Sequence, residues 1–404
     1  MLQSPFAFYR GAAAVMAHDL ARSPVTGQYV VACGDAHLSN FGLFASPERR
    51  VLFDLNDFDE AYPAPWEWDV RRLAASFRIH GRENSHTEDQ CRESVAAAVA
   101  AYRDALTRLF ELPATDRYYF QVEASMLEER AADDRESVAR ITKKARGRTS
   151  QKVLRKVTTV DKSGVSTIRD EFPVIRHSAG IDLPAMRRLM MRYLMTARAD
   201  IRLLLTQYEL VDYAMRIVGV GSVGTRCWLF YLQGPSGEPL FLQAKEAPPS
   251  VLETFGGVSS DSVEQLRSIA DPGGGQGARV VGAQRVLQAQ SDPFLGWVTG
   301  VRGEEGEPRD YYIRQFRDMK GSVDLEFLTP ERAVGYAKVC GALLARAHSQ
   351  TPGTAFIAGY LGAGSAFVES IVAWSGSYAD RAEQDHELLA RAVDRGKLPA
   401  EHGV

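Results

Sequence analysis

An α+β protein of two lobes with helical insertions is predicted, on three observations. Residues 1–210 are rich in helical periodicity around two early strand–loop units. Residues 211–320 are dense in β-branched and aromatic residues broken by hairpin turns, and residues 321–404 return to helical periodicity. No internal repeat is present, so these parts read as one large unit rather than an array.

In chain order, Phe6, Phe8 and Tyr9 lead into an alanine-rich helix over 11–21. This opening reads as the inside of a fold, so Met1 is not expected to be the natural domain start. Strands are predicted over 28–32 and 51–55, each feeding a loop, 34–42 and 56–60. Pro63, Pro65, Trp66 and Trp68 make a stiff bend before a helix over 70–80. Long amphipathic helices are predicted over 86–112 and 183–208. Between them, residues 140–156 carry Arg140, Lys143, Lys144, Arg146, Arg148, Lys152, Arg155 and Lys156 without an acid. That run reads as a solvated helix face, with docking of an anionic partner as the alternative. Strands over 217–232 and 239–244 flank the turn Gly234-Pro235-Ser236-Gly237. A helix over 278–290, strands over 294–299 and 311–316, and a helix over 333–348 complete the pattern.

Composition narrows the class. The 404 residues are 45% hydrophobic and 25% charged, ordinary for a globular chain, and the net charge of −3 offers no bulk attraction for nucleic acid or anionic membrane. No apolar run nears the roughly 18 residues of a membrane span, and the start lacks a signal-peptide layout. Cys33, Cys91, Cys227 and Cys340 form no CxxC pair, which disfavours a zinc site or a disulfide scaffold. A cytoplasmic protein is expected, with no nucleic-acid or membrane partner.

Gly219-Val220-Gly221-Ser222-Val223-Gly224 fits GxGxxG. A helix after the glycines would mean a dinucleotide fold, and a strand would mean a loop lying over phosphates. The aromatic, β-prone residues 225–232 end in a Gly-Pro-Ser-Gly turn, so a strand follows. A dinucleotide site and a purely structural turn are the alternatives. The next strand ends in Lys245, placed to bind phosphate oxygens.

Asp35 and Asn40 stand five residues apart on the loop after the first strand. Phosphoryl transfer uses such a pair, the aspartate to take the acceptor's proton and the asparagine to hold metal. Asp57 is the candidate for the metal bridging nucleotide phosphates, with Asp54 and Asp59 as rivals. Taken singly, these residues also suit turns and helix caps.

Gly34-Asp35-Ala36-His37-Leu38-Ser39-Asn40 resembles the GDxHxxN catalytic loop of aminoglycoside-phosphotransferase-like kinases. Asp57-Phe58 resembles their metal-binding Asp-Phe, and Trp68-Asp69 their Trp-Asp twelve residues later. From Ser4-Pro5-Phe6 through Tyr312-Ile313-Arg314-Gln315 and Asp318-Met319-Lys320-Gly321, the chain resembles the bacterial family called domain of unknown function 2252. Two departures from the kinase pattern stand out. Cys33 occupies the place of the usual histidine, and the catalytic loop precedes the glycine loop. Reading the chain as a circle restores kinase order, with 312–316 as hinge and 343–348 as the helix before the catalytic loop.

The resemblance therefore implies a circularly permuted, protein-kinase-like fold. Residues 1–210 and 321–404 would form the helical lobe, and 211–320 the nucleotide-binding lobe. It implies an ATP- and Mg²⁺-dependent phosphotransferase acting on an unnamed acceptor. Asp35 is then catalytic. Gly219, Gly221, Ser222, Gly224, Lys245, Glu253 and Gln315 serve the nucleotide, and Asn40 and Asp57 the metal. Asp69 supports the loop or caps its helix. Glu253 is the chosen partner for Lys245, ahead of Glu264 and Gln284, because the helix over 278–290 has no acid. Arg314, Arg317 and Lys320 read as surface or core-edge ion pairs, with contact to phosphate as the alternative. A non-catalytic nucleotide-binding module, a nucleotidyl transferase and a metal-dependent hydrolase using His37 are the rival functions.

Overall fold

The structure is a computed structural model that describes residues 1–130, 135–160, 164, 166–178, 182–217, 225–302 and 306–400. It is a mixed α+β fold. Its largest sheet is antiparallel throughout, in the order Gly296–Arg302, Pro308–Gln315, Pro239–Glu246, Cys227–Gln233, Glu209–Arg216, Ile175–Arg176. The period-two alternation of the strand Cys227–Gln233 serves two cores. Trp228, Phe230 and Leu232 pack with Met186, Leu189 and Tyr193, whereas Leu229 and Tyr231 pack with Val153 and Val157.

Several expected elements shift: the strand expected over 217–232 is described over Cys227–Gln233, with Glu209–Arg216 as a further strand before it, and residues 218–224 lie outside the described ones. The predicted helix over 183–208 breaks into Leu183–Thr196 and Ala199–Leu205, and the first of these packs on the sheet rather than on the helical part. The basic run spans two helices, Arg135–Arg146 and Ser150–Val157. Lys143, Lys144, Lys152, Arg155 and Lys156 on it are exposed.

The second unit is helical. Trp66–Glu83, Glu88–Glu111, Pro330–His348 and Ala366–Asp394 share one core with the early strands. Gly341 lets two of these helices touch, since a Cβ there would lie 2.0 Å from the Ala98 carbonyl oxygen. Trp66 stacks on Tyr102 with ring centroids 5.9 Å apart. Two small sheets frame the loops of interest. Tyr29–Ala32 pairs with Tyr62–Pro65, and Phe41–Ala45 lies between Val51–Leu55 and Gly321–Ser322. The helix Gly275–Leu287 joins the units, placing Val280, Val281 and Leu287 in the helical core beside Tyr312 of the large sheet. Among the described residues no single helix is long and apolar enough to cross a membrane.

Candidate functional site

The strand Tyr29–Ala32 delivers the chain into Cys33 and Gly34, where the backbone turns sharply. Gly34 has φ +76°, and a Cβ there would sit 2.2 Å from the Glu60 carbonyl oxygen. Only glycine meets both demands. Asp69 holds this turn. Its Oδ2 accepts from the Cys33 N–H at 2.7 Å and its Oδ1 from the Gly34 N–H at 3.0 Å. The His348 Nε2 lies 3.1 Å from the same Oδ2, and the Tyr102 hydroxyl 2.8 Å from His348 Nδ1. Both ring nitrogens of His348 thus have a partner within hydrogen-bond distance. Of the two roles expected for Asp69, loop support is the one observed. The residue sits inside the first turn of Trp66–Glu83, whose N-cap is Pro65.

One turn after Asp69, on the same helix face, Arg72 reaches the other end of the loop. Its Nε donates to Asp35 Oδ1 at 2.5 Å and its Nη2 to the Tyr9 carbonyl at 3.0 Å. His37 Nε2 stands 3.5 Å from Asp35 Oδ2, and Ser39 Oγ is 2.9 Å from His37 Nδ1. Burial pushes the His37 imidazole down to about 4, despite Asp35 beside it, so the ring is neutral at pH 7. If Ser39 donates to Nδ1, the single ring proton of the neutral His37 is on Nε2, facing Asp35. Asn40 Nδ2 donates to the Asp35 carbonyl at 2.6 Å, and the Asn56 N–H to the Asn40 carbonyl at 2.9 Å. The two predicted loops are thus laced together. Arg72, His348 and Tyr102 escaped the sequence reading. The i, i+3 spacing of Asp69 and Arg72 is the signal that could have found Arg72.

Lys245 crosses from the sheet to the second loop. Its side chain is only 4% exposed, and its Nζ bonds Asp59 Oδ2 and lies 3.6 Å from Asp57 Oδ2. The Tyr312 hydroxyl donates to Asp59 Oδ1 at 2.6 Å. Burial opposes the ammonium charge, but Asp57 and Asp59 outweigh it and hold the Lys245 pKa well above its ordinary value. Burial likewise opposes the Asp57 carboxylate, yet Lys245, Arg314 and Lys320 pull its pKa far down. Asp59 goes up, from burial and from its neighbour Asp57.

The expected partner Glu253 is replaced by Asp59. Glu253 lies on the short helix Val251–Thr254, where its charge acts on Arg279. Glu264 is exposed, and Gln284 Nε2 bonds Gln288 Oε1 at 2.9 Å. The physical reason is an exchange of roles. The helix Gly275–Leu287 lacks an acid but carries Arg279, which donates to the carbonyls of Asp59 at 2.9 Å, Ala61 at 2.5 Å and Pro248 at 2.9 Å. The helix therefore fixes the backbone of the loop that supplies the carboxylate. Asp54 is consumed structurally, accepting from the Leu55 and Ala289 N–H groups at 2.9 and 2.8 Å.

Between the sheet and the loops lies a cavity of about 360 Å³ lined in part by Asn56, Gln284, Arg314, Gln315 and Lys320. Gln315 also donates its backbone N–H to Asp292 Oδ2 at 2.6 Å. Arg314 and Lys320 are half-buried cleft residues, which corrects their reading as surface or core-edge ion pairs. Burial, then Arg314, lowers the Lys320 ammonium to about 7. Arg317 is exposed. Gly219, Gly221, Ser222 and Gly224 lie outside the described residues.

Asp57 Oδ1 is buried without a hydrogen-bond partner among the described residues. Asn40 spends its amide nitrogen on Asp35, which leaves its oxygen as the atom able to ligate a metal. Two oxygen donors suit Mg²⁺, which usually takes the rest of its shell from phosphates and water. Among the described residues no three His, Cys, Asp or Glu side chains gather as a metal group, so His37 and the acidic loops do not form one.

One protein family matches, described as uncharacterized protein conserved in bacteria (DUF2252), over residues 1–392. No curated protein and no solved structure matches the chain. The chain belongs to the DUF2252 family.

Proposed function

We propose that this DUF2252 protein is an ATP- and Mg²⁺-dependent phosphotransferase with a circularly permuted, kinase-like arrangement of parts. The observation that carries the reading is the meeting of Lys245, from the large sheet, with Asp57 and Asp59, from the loop laced to Asp35 and Asn40. Residues nearly 190 positions apart converge there. The first and last described helices touch: the Leu2 carbonyl lies 3.3 Å from His386 Nε2, and Arg381 pairs with Asp19 at 2.6 Å.

In this mechanism ATP sets its phosphates against Lys245. Asn40 and Asp57 would hold Mg²⁺, which when bound neutralises charge on the phosphates. The acceptor hydroxyl oxygen attacks the γ-phosphorus, the bond from that phosphorus to the β–γ bridging oxygen breaks, and ADP leaves. Asp35 takes the hydroxyl proton. Arg72 and the neutral His37 hold the Asp35 carboxylate in place, and Asp69 holds the loop beneath it. Asp59 and Tyr312 position Lys245. Most of the rate enhancement in such chemistry comes from positioning and fixed charge.

Thermal unfolding with and without MgATP tests this. Ligand at 100 times its Kd adds about 2.7 kcal/mol to the folded state. A melting shift is expected in the wild type and in Asp35→Asn, but not in Asp57→Ala. Slow ATP consumption should fall by about 10²-fold or more in Asp35→Asn. No shift with any nucleotide would overturn the reading.

A further inference from the structure

Arg314 and Lys320 reach the cleft from opposite sides. Arg314 is near the end of the strand Pro308–Gln315 in the large sheet. Lys320 immediately precedes Gly321–Ser322, the strand that pairs with Phe41–Ala45 beside the catalytic loop. Both line the same cavity.

The acids around them make their direct bonds elsewhere. Asp59 bonds Lys245 and Tyr312, and Asp57 faces Lys245. Asp292 accepts two backbone N–H groups, from Phe294 at 2.8 Å and Gln315 at 2.6 Å. Asp318 pairs with Arg49. Among the described residues, neither Arg314 nor Lys320 has a hydrogen bond or ion pair from its side chain; Arg314 only lies over the Tyr312 ring, 5.7 Å from its centroid. Asp57 and Asp59 act on both cations through space, but the side-chain donors of Arg314 and Lys320 make no direct bond, which leaves them for an anion in the cavity that both line.

We infer that Arg314 and Lys320 form a phosphate-group subsite of this cleft, distinct from Lys245. The guanidinium offers a planar fork matched to phosphate oxygens, and the ammonium a point charge beside it. The cavity is large enough for a phosphate carried on a small molecule. The phosphate belongs either to the nucleotide or to a phosphorylated acceptor, and that choice rests on the phosphotransferase reading. The anion subsite itself does not.

Calorimetric titration of inorganic phosphate and pyrophosphate at low ionic strength tests it. Wild type is compared with Arg314→Met, Lys320→Met, the double variant and the charge-keeping Lys320→Arg, each checked for a cooperative melt. Wild type and Lys320→Arg should bind, and the double variant should bind at least tenfold more weakly. If the double variant does not fold, a tenfold loss in Lys320→Met with retention in Lys320→Arg supports the subsite equally well. MgATP titration then separates the sources. A parallel loss of MgATP affinity assigns the subsite to the nucleotide, and unchanged MgATP affinity assigns it to the acceptor. Phosphate binding without any MgATP binding would sink the phosphotransferase reading and leave the subsite standing. Equal phosphate affinity in wild type and the variants, or no binding by wild type, overturns the inference.

Discussion

The turn held by Asp69 and the charged region around Asp57, Arg314 and Lys320 are both polar and largely buried, yet their polar atoms are satisfied differently. Around Asp69, a tyrosine, a histidine, a carboxylate and two backbone N–H groups form a closed chain in which each donor meets an acceptor. Asp69 is 2% exposed there and His348 fully buried. In the second region, Asp57 keeps an oxygen without a hydrogen-bond partner, and the Arg314 and Lys320 side chains make no direct hydrogen bond or ion pair among the described residues, although Asp57 and Asp59 act on both through space. A fully satisfied polar network rigidifies, whereas an open one does not. On the proposed reading the first region frames the site and the second faces the ligand, so mutations in the two should move stability in opposite directions.

The largest expected effect is on the frame. Asp69→Ala leaves two backbone N–H groups and His348 without their acceptor in a dry interior. Each such group costs about 1–3 kcal/mol, so a loss of at least about 3 kcal/mol is expected in urea unfolding at unchanged m-value. A loss under about 1 kcal/mol would remove the contrast. Gly34→Ala comes next. The left-handed backbone and the Glu60 carbonyl together should cost about 2 kcal/mol or more. A neutral outcome would mean that the turn can relax.

Lys320→Met tests the second region. Removing an unpaired, half-buried cation while keeping the apolar stem should leave the melting temperature equal to wild type or a little higher. A clear drop would show that Lys320 belongs to the frame.

The smallest effect is one of pH. Burial raises the Glu60 carboxyl to about 7, although the Val251 N–H and Arg279 favour its charge. A carboxyl raised on folding binds its proton more tightly in the folded state. Its contribution to stability is therefore complete below about pH 4.5 and is lost as the pH rises through about 7. Glu60→Gln should flatten stability against pH across that window, and an unchanged slope would place the titration elsewhere.

Local chemistry makes much of this protein legible from its residues alone. The two strand–loop units, the hairpin around Gly234-Pro235-Ser236-Gly237 and the helix over 333–348 follow from periodicity and turn residues, which act within a few positions. Asp35, Asn40, Asp57 and Lys245 stand out in the sequence as candidates because their residue types and loop settings are local too. Their partners were set by packing. Asp59 meets Lys245 across nearly 190 residues, Arg279 replaces an expected helical acid by holding the loop backbone, and His348 closes a chain to Asp69 across 279 positions. Packing also turned Arg314 and Lys320 toward a cleft rather than solvent. Side-chain pairing at such separations depends on how the sheet, the helices and the loops come together. No local pattern carries that information, because the same arginine or lysine fits a solvated surface equally well.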